Sequence, residues 1–568
     1  MHTSLLFLFA LTPLVTIAQK ISAHGVWTGF ENSTGRTPQR RNINDLHQEG
    51  GPEWDLYILG MAAFQDAPET ETDSYFQVSG IHGYPLQAWN GVESVPGGAG
   101  KGYCPHGENL FSTWHRPMVA VFEQILAGHI QRIAEEYNGT NSEEYQKAAD
   151  EWRLPYWDWA QDSKVPSSST TKTITVNGPE GSTTIPNPLY EYKFQNHPYP
   201  SNIFPSSNRL IKYSETKRCV DSNGNSNPLS ANSRLEGAAA SLRDQVYDVF
   251  TRITEFDTMA STGGSSSSFE SPHNTIHVFG GCASAGSLYY VSTSAFDPLF
   301  MLHHCNIDRL IAIWQAIHYE SAPLSHPYKT NGFFSTPSRS TLDARTPLKP
   351  FYDENGEFWT SEGVRYLSAF GYTYPELVTE EELSDDELSS VATSRINLLY
   401  AAAPPTTSMR LRSGSLAVSS RQGAVSREYF AELKVNREDI PLPSSLDVYL
   451  GDKLAGSMTL LSMPESGPSY AEIPLRSALE GVDLDNFASE PMLDYITKNF
   501  KLDIRDGDGA EIDRDSISSL EVSLQGDNVI PRTSDEELPQ YVKVEDHLLI
   551  TDDLGAPMWK KRDAESAQ

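Results

Sequence analysis

The sequence predicts a mainly α domain with a four-helix-bundle core and long loops, followed by a smaller β-sandwich-like C-terminal domain. Helical periodicity dominates the chain up to about residue 390, around residues 54–66, 115–137, 241–256 and 299–319. Beyond residue 427, stretches such as YFAELKVN and SLEVSLQ alternate apolar and polar residues between turn signals, as the strands of a sandwich do. This change from a helical to an alternating hydrophobic period predicts two consecutive domains.

Segments of different composition frame these domains. The uncharged apolar run from Leu5 to Ile17 ends in small residues, which predicts a secretory signal peptide that is too short to span a membrane. Residues 401–427 contain Pro404-Pro405 and few large apolar side chains, a composition typical of an exposed linker. The predicted order is a signal peptide (1–18), a helical domain (19–395), a protease-sensitive linker (396–427), a β domain (428–550) and a tail (551–568).

Two further stretches have a biased composition. Residues 160–235 are dominated by Ser, Thr, Pro and Asn, which predicts long irregular loops inside the helical domain. The acidic run over residues 380–387 is typical of a solvated helix face.

Charge and cysteine content limit the possible partners and the compartment. The 568 residues carry a formal net charge of −32, which argues against nucleic acid and anionic membranes as partners and favours solubility outside the cell. The sequons at Asn32 and Asn138 suit a secreted glycoprotein. Four cysteines are too few for a disulfide framework in so long a chain, so the apolar core must carry the stability.

The stretch SPHNTIHVFGGC, residues 271–282, places His273 and His277 four residues apart on one helix face, where both imidazoles can reach one point. Zinc hydrolases need Glu after the first histidine of such a pair, and Asn274 cannot take a proton. The pair alone is equally compatible with two structural histidines.

Other histidines resolve this ambiguity by forming two groups of three. Pro117 is typical of a first helical turn, which predicts His115 at the start of a helix. No carboxylate belongs to either group, which argues against di-iron, magnesium or calcium and favours copper, zinc or nickel. The groups are His82, His106 and His115, and then His273, His277 and His304.

The segments LPYWDWA, FDPLFMLHH and HNTIH together resemble the tyrosinase family of type 3 copper phenol oxidases, secreted fungal members in particular. The similarity runs from RRNINDL, residues 40–46, through the β domain. It implies two copper ions that use O2 as co-substrate, Cu A in the first histidine group and Cu B in the second. It also implies that residues 19–395 form the dicopper catalytic domain.

The resemblance implies roles for neighbouring residues. His304 is the ligand of the His303-His304 pair because it stands four residues before Asp308, and His303 lines the pocket. Asp308 then holds this helix and its ligands in place without touching the metal. Val278 is expected to tune the pocket.

The cysteines receive separate interpretations. In the family, a cysteine in the position of Cys104 is joined by a thioether bond to the imidazole two residues later, here His106, which would fix that ligand's rotamer. Cys219 and Cys282 both lie in loop sequences of a secreted protein, where a disulfide would pin the region beside the second site. Cys305 is expected to be a buried residue without a special role.

Three functions are compatible with a dicopper site of this kind. A tyrosinase hydroxylates monophenols and oxidises o-diphenols to o-quinones, a catechol oxidase does only the second, and a haemocyanin-like protein binds O2 without turnover. Glu270 and Asn274 match the family residues that hold a water for deprotonating the phenol, and they favour the first alternative. The expected partners are therefore small phenols and catechols.

The resemblance also implies that the β domain is a lid that keeps the enzyme latent. Tyr372 and Tyr374 resemble the tyrosine motif that closes the family's catalytic core against an N-terminal arginine, for which Arg40 is the match. A core closed before residue 380 does not need the β domain to fold. The arginines between residues 410 and 427 offer cleavage points to an activating protease, and residues 560–562 offer a second, trimming site.

Overall fold

The computed structural model describes residues 20–30, 36–98, 100–204, 209–378, 383–401, 426–482, 489–551 and 557–561. The proposed signal peptide, Asn32 and most of the proposed linker lie outside these ranges. No helix in the described part of the chain is both long and apolar enough to span a membrane.

A helical domain comprises the described residues up to 401. Its main helices pack against one another, with α4 contacting α2 and α9, and with α9 also contacting α8 and α10. The helices are α1 (Ile43–Glu49), α2 (Gly51–Asp66), α3 (Tyr75–Gly80), α4 (Leu110–Ala134), α5 (Ser142–Glu151), α6 (Asn232–Arg252), α7 (Phe256–Met259), α8 (Glu270–Gly280), α9 (Leu299–Ile317) and α10 (Asp385–Tyr400). The predicted mainly α domain is confirmed.

The helix that carries His115 differs from the prediction. Helix α4 begins at Leu110, and Pro117 lies inside it. His115 is therefore in the second turn, and the prediction that it stands at the helix start was wrong. A proline in a helix interior removes one backbone hydrogen bond, which the almost complete burial of this stretch compensates by packing.

Short hairpins interrupt the loops of the helical domain. Within the irregular region predicted over residues 160–235, one hairpin forms between strands β1 and β2. The hairpin strands are β1 (Thr173–Gly178), β2 (Gly181–Pro186), β3 (Tyr328–Lys329), β4 (Thr341–Leu342), β5 (Pro347–Tyr352) and β6 (Phe358–Thr360).

Helix α10 contains the end of the acidic run and the start of the predicted linker. Ser384 and Glu387 form a reciprocal capping box at its first turn, where acidic residues also favour the helix dipole. The helix continues to Tyr400, which is buried. Residues 396–400 are therefore helical, and a linker can begin only after them.

The chain from residue 426 onward forms a smaller β-rich domain, as predicted. Its two sheets have the strand orders β10-β7-β12-β13-β14 and β11-β8-β9. Two helices, α11 (Arg476–Leu479) and α12 (Ser489–Asn499), accompany them. The strands are β7 (Ser426–Asn436), β8 (Ser444–Leu450), β9 (Lys453–Leu460), β10 (Pro468–Pro474), β11 (Phe500–Asp506), β12 (Glu521–Ile530), β13 (Gln540–Thr551) and β14 (Pro557–Lys561). The last strand lies in what the sequence predicted to be a tail.

The β-rich domain has an apolar core of its own. Alternate residues of β7, from Tyr429 to Val435, point into it together with Leu446 and Val448 of β8. Since β7 and β8 belong to different sheets, this core lies between the two sheets. The β-rich domain therefore has an apolar core separate from that of the helical domain.

Candidate metal centre

Helices and loops bring all six predicted histidines to one place in the helical domain. Helix α4 supplies His115, α8 supplies His273 and His277, and α9 supplies His304. His82 follows α3, and His106 precedes α4. Each side chain is buried, with at most 4% of its surface exposed.

The second group converges on a point through its Nε2 atoms. The Nε2 atom of His273 lies 3.1 Å from Nε2 of His277 and 3.3 Å from Nε2 of His304. The spacing of four residues on α8 places the first two rings on one face, and α9 brings the third. Three imidazole nitrogens this close can hold one metal ion.

The first group has a nearly regular geometry. The ring centroids of His82, His106 and His115 are separated by 5.2, 5.4 and 5.5 Å. The two groups adjoin, because the ring of His115 stacks on that of His304 at 4.5 Å. Two metal ions held by these groups would therefore be neighbours.

The hydrogen bonds of the rings leave the metal-facing nitrogens free. The Nδ1–H groups of His82 and His115 donate to the carbonyls of Val291 and Phe111, at 2.9 and 2.8 Å. The Nδ1–H of His277 likewise donates to a backbone carbonyl, that of Leu288, at 2.7 Å. A neutral imidazole that donates at Nδ1 presents a lone pair at Nε2. The Nε2 atoms of His82, His106 and His115 have no hydrogen-bond partner among the described residues.

The protonation state of the six histidines also favours metal binding. Burial and the neighbouring imidazoles lower the pKa of His82, His106, His273 and His304 well below the usual value. Burial also lowers the pKa of His115 to about 3 and that of His277 to about 4. The rings are therefore neutral, which is the metal-binding form. Six neutral imidazoles without a carboxylate fit a pair of copper ions.

His303 lies among these rings but is not available as a ligand. One of its nitrogens is within 4.8 Å of ligand atoms of His273, His277 and His304. However, the indole N–H of Trp159 donates to its Nδ1 at 3.0 Å. An indole can only donate, so the proton of neutral His303 is on Nε2, which then has no lone pair for a metal. This supports His304 as the third ligand.

Asp308 ties together the helices that carry His304 and His115. Its carboxylate accepts hydrogen bonds from Arg116 at 2.6 Å, Tyr372 at 2.6 Å and Tyr374 at 2.7 Å, and from Arg40 at 3.1 Å. Burial alone would raise the pKa of Asp308, but the two guanidinium groups lower it below its usual value. The predicted contact between Arg40 and the tyrosine motif is confirmed, with Arg40 also donating to the Tyr374 hydroxyl at 2.9 Å.

We expect Asp308→Asn to destabilise the helical domain by about 3–5 kcal/mol, because it leaves the buried Arg116 guanidinium without its carboxylate partner, whereas Arg40 keeps its ion pair with Glu123. The urea midpoint of unfolding measures this. The exposed pair Arg345–Glu362 provides the control, since Glu362→Gln should cost less than about 1 kcal/mol. Equal small shifts in both variants would contradict the bracing role of Asp308.

Glu270 and Asn274 lie on the same face of α8, one turn apart. The Glu270 carboxylate is buried and accepts hydrogen bonds from the backbone N–H groups of Gly107 and Thr262, each at 2.7 Å, and from the Thr262 hydroxyl at 3.0 Å. Burial raises its pKa, against these hydrogen bonds, which lower it. Glu270 is therefore a fixed carboxylate beside the site.

The Asn274 side chain has two partners. Its Oδ1 accepts the Nδ1–H of His273 at 2.9 Å, and its Nδ2 donates to the carbonyl of Thr459 in the β-rich domain at 3.2 Å. Asn274 therefore orients the His273 ring and also contacts the other domain. Val278, on the same helix, is buried in the apolar core.

The cysteine predictions have different outcomes. The structure joins Cys219 and Cys282 by a disulfide, the pairing that the sequence suggested. Cys305 is a buried thiol, as predicted. Cys104 is also a buried free thiol in the described chain, and its Sγ lies 2.9 Å from the carbonyl oxygen of His82. The proposed sequon at Asn138 lies on the surface.

A segment of the β-rich domain covers the histidines. Thr459 contacts Asn274 and Thr275 beside the second group, and Pro464 packs against Gly107 beside the first. Between them Leu461 is buried, with 1% of its surface exposed, in the apolar core of the helical domain. A cavity of about 250 Å³ remains, and its lining includes Cys104, His106, Met463 and Pro464.

Arg437 holds this covering segment in place by hydrogen bonds. It donates to the carbonyls of Leu461 and Pro464 and, at 3.1 Å, to the Ser469 hydroxyl. These contacts fix both ends of the stretch that crosses the histidines.

Comparisons with known proteins agree with this geometry. A family model described as the common central domain of tyrosinase matches residues 72–317. A tyrosinase of Podospora anserina is 35% identical over 397 residues, which cover 64% of this chain and 67% of that protein. The chain belongs to the tyrosinase family. The two histidine groups lie inside the matched region and are compatible with the family's two copper ions.

A tyrosinase of Neurospora crassa is 36% identical over 408 residues, which cover 65% of this chain but 56% of that protein. The chain thus matches little more than half of that relative's length. Among solved structures, recombinant mushroom tyrosinase has a TM-score of 0.80 at 21% identity, over 92% of this chain and 97% of that chain. An Aspergillus oryzae pro-tyrosinase mutant has a TM-score of 0.70 at 21% identity, over 94% and 98%. Both share the two-domain fold.

Several residues at this tyrosinase-family site were not found from the sequence. The carbonyls of Leu288 and Val291 orient the rings of His277 and His82, yet a backbone atom has no sequence signature. Trp159 lies in the motif LPYWDWA, which carried the resemblance but gave no role to that residue. The covering residues 459–464 lie about 180 residues beyond α8, and their position depends on how the domains dock.

Proposed function

We propose that this chain is a secreted copper-dependent phenol oxidase that ortho-hydroxylates monophenols and oxidises o-diphenols to o-quinones with O2, made as a latent proenzyme. The observation that carries the proposal is the pair of adjoining, neutral, buried imidazole groups with a fixed carboxylate beside them. Family membership supports the same chemistry.

The copper ions would be held by His82, His106 and His115 and by His273, His277 and His304, and when bound they supply the electrons and the binding site for O2. The protein's task is to fix the six rings, exclude water and orient the phenol. Backbone carbonyls orient the rings of His82, His115 and His277, Asn274 orients that of His273, and the apolar packing excludes water.

Glu270 would remove the phenol proton through a water in the first reaction. Its raised pKa brings the carboxylate closer to the working pH than an exposed glutamate, which favours its action as a base. Asn274 would hold the same water through the second N–H of its Nδ2, since the first donates to the carbonyl of Thr459.

We expect Glu270→Gln to lower monophenol hydroxylation by about 100-fold, because a general base typically contributes that much. Oxidation of a catechol by the same variant should change little. The initial rates of O2 uptake with a monophenol and with its catechol measure the two reactions on activated protein.

Glu108→Gln provides a matched control, since Glu108 is another buried carboxylate in hydrogen-bond contact with backbone near the same cavity. It should affect neither reaction selectively. Equal losses of activity on both substrates in Glu270→Gln would show that Glu270 stabilises the fold and does not remove the phenol proton. Oxidation of catechol without any monophenol reaction in the wild type would make the chain a catechol oxidase, and O2 binding without turnover would make it haemocyanin-like.

A thioether between Cys104 and His106 remains part of the proposal. Both ring nitrogens of His106 are without a hydrogen-bond partner among the described residues, unlike the rings braced by carbonyls. A covalent link would supply the missing orientation. A mass two hydrogens lower than the free thiol and imidazole would reveal it in a peptide containing both residues.

Latency is supported by the segment that covers the histidines. With Thr459, Leu461 and Pro464 in place, a phenol cannot reach both imidazole groups from this side. We propose that residues 428–550 act as this lid and that the protease-sensitive linker follows Tyr400. Secretion, an activating protease and glycosylation at Asn138 belong to the same proposal.

A further inference from the structure

A short segment outside both histidine groups holds the loop that orients them. The segment is Lys217–Val220, called here the strap, and the loop is Cys282–Asp297. We propose that the strap is a positioning element for both metal sites, so that loosening it speeds metal loss from the two sites together. This inference rests on the proposed copper content.

The loop carries acceptors for ligands of both groups. The carbonyl of Leu288 receives the Nδ1–H of His277, and the carbonyl of Val291 receives that of His82. The loop also receives the backbone N–H of Tyr84, two residues after His82, at the carbonyl of Ser292, 2.7 Å away. One loop therefore determines the ring orientation of one ligand in each group.

The strap is joined to the beginning of this loop by a disulfide and by two sets of hydrogen bonds. The disulfide joins Cys219 to Cys282. The backbone N–H of Val220 donates to the carbonyl of Ala285 at 2.7 Å. Lys217 and Ser287 exchange two hydrogen bonds, from the Ser287 N–H to the Lys217 carbonyl at 2.7 Å and from the Lys217 N–H to the Ser287 hydroxyl at 2.9 Å.

Arg218 forms an ion pair with the last residue of the loop. Its guanidinium contacts both carboxylate oxygens of Asp297, and both side chains are only 1% exposed. Asp297 in turn accepts the backbone N–H of Leu299 at 3.0 Å, at the start of the helix that carries His304. The strap therefore constrains a third ligand through the helix start.

We expect these contacts to act on the metal through ring orientation. A hydrogen bond to the far nitrogen of a metal-bound imidazole fixes its tautomer and angle, and loss of such a partner typically costs about 10- to 100-fold in metal affinity. The strap touches none of the rings, so its effect must pass through the loop carbonyls. Both sites should respond because the acceptors at Leu288 and Val291 move together.

The test compares Arg218→Lys and the double variant Cys219→Ala/Cys282→Ala with Arg309→Lys. Arg309 is equally buried and pairs with Glu376 and Asp158, and its other hydrogen bonds go to Asn306 and Tyr400 rather than to any of the six histidines. Copper-loaded full-length proteins are mixed with excess chelator, and the release of copper is followed together with the melting temperature.

We expect both strap variants to release copper about tenfold faster or more, with both ions leaving at the same increased rate. Arg309→Lys should lower the melting temperature similarly while its copper release stays near the wild-type rate. Wild-type release in the strap variants, faster release at one site alone, or equal acceleration in Arg309→Lys would overturn the inference. A wild-type protein that binds no copper would instead refute the proposed function.

Discussion

Replacing His277 by alanine should abolish phenol oxidation and reduce bound copper from about two ions per chain to about one or fewer. The Nε2 atom of His277 lies 3.1 Å from that of His273 in the second group. Without it, the remaining imidazoles cannot hold the ion firmly, and O2 chemistry needs both ions. His106→Ala should have the same effect through the first group.

The measurements are copper per chain and O2 uptake with a catechol. The fold should be largely retained, because the helical core is formed by apolar residues on all the surrounding helices. His303→Ala is the matched control, since its Nδ1 is engaged by Trp159 and it should keep both copper ions. Tightly bound zinc with hydrolase activity, or substantial oxidation by His277→Ala, would refute the assignment.

The outcome for the histidines shows what sequence spacing can predict. His273 and His277 lie on one helix face because i and i+4 residues always do, and the same motif lies in one helix here. His115 was also identified as a member of the first group, but its place in the helix was wrong. Proline prefers first turns only as a tendency, and tertiary packing overrode it at Pro117.

Long-range contacts set the limit of the sequence prediction. Arg40 and Asp308 are 268 residues apart, and the pairing of Arg40 with the tyrosine motif was expected only through the family resemblance. The loop carbonyls have no side-chain pattern at all, and of the strap's contacts only the Cys219–Cys282 disulfide was expected from the sequence. Local periodicity predicts the helices and strands. The orientation of the histidine rings depends instead on which backbone carbonyls tertiary packing places beside them.

The intact chain should turn over phenols slowly, and cleavage within residues 400–427 should raise the rate without added copper. The lid residues 459–464 occupy the approach to the histidines, so only molecules with the lid displaced can react. If the lid is displaced in about 1% of molecules, the apparent activity is about 100-fold below that of the open form. Initial O2 uptake before and after limited proteolysis measures the difference.

Cleavage alone does not remove the contacts between the domains. Arg252 of the helical domain pairs with Glu472 and, at 2.8 Å, with Asp527 of the lid, and all three side chains are at most 8% exposed. Arg476 of the lid pairs with Asp244 and Asp248 of α6. We therefore expect activity to rise as the fragments separate, which size-exclusion chromatography of the cleaved protein follows directly.

Leu461→Ala in the uncut chain tests the covering segment itself. Shortening this side chain should admit small phenols and give partial activity without proteolysis, because Leu461 lies between the contacts made by Thr459 and Pro464. Leu475→Ala is the matched control, since Leu475 is equally buried but packs in the lid's own core. It should destabilise the lid domain by about 2–5 kcal/mol without placing a gap over the histidines. If the uncut wild type already reacts at the rate of the cleaved protein, the β-rich domain is a permanent stabilising domain, and Leu461→Ala will then change nothing.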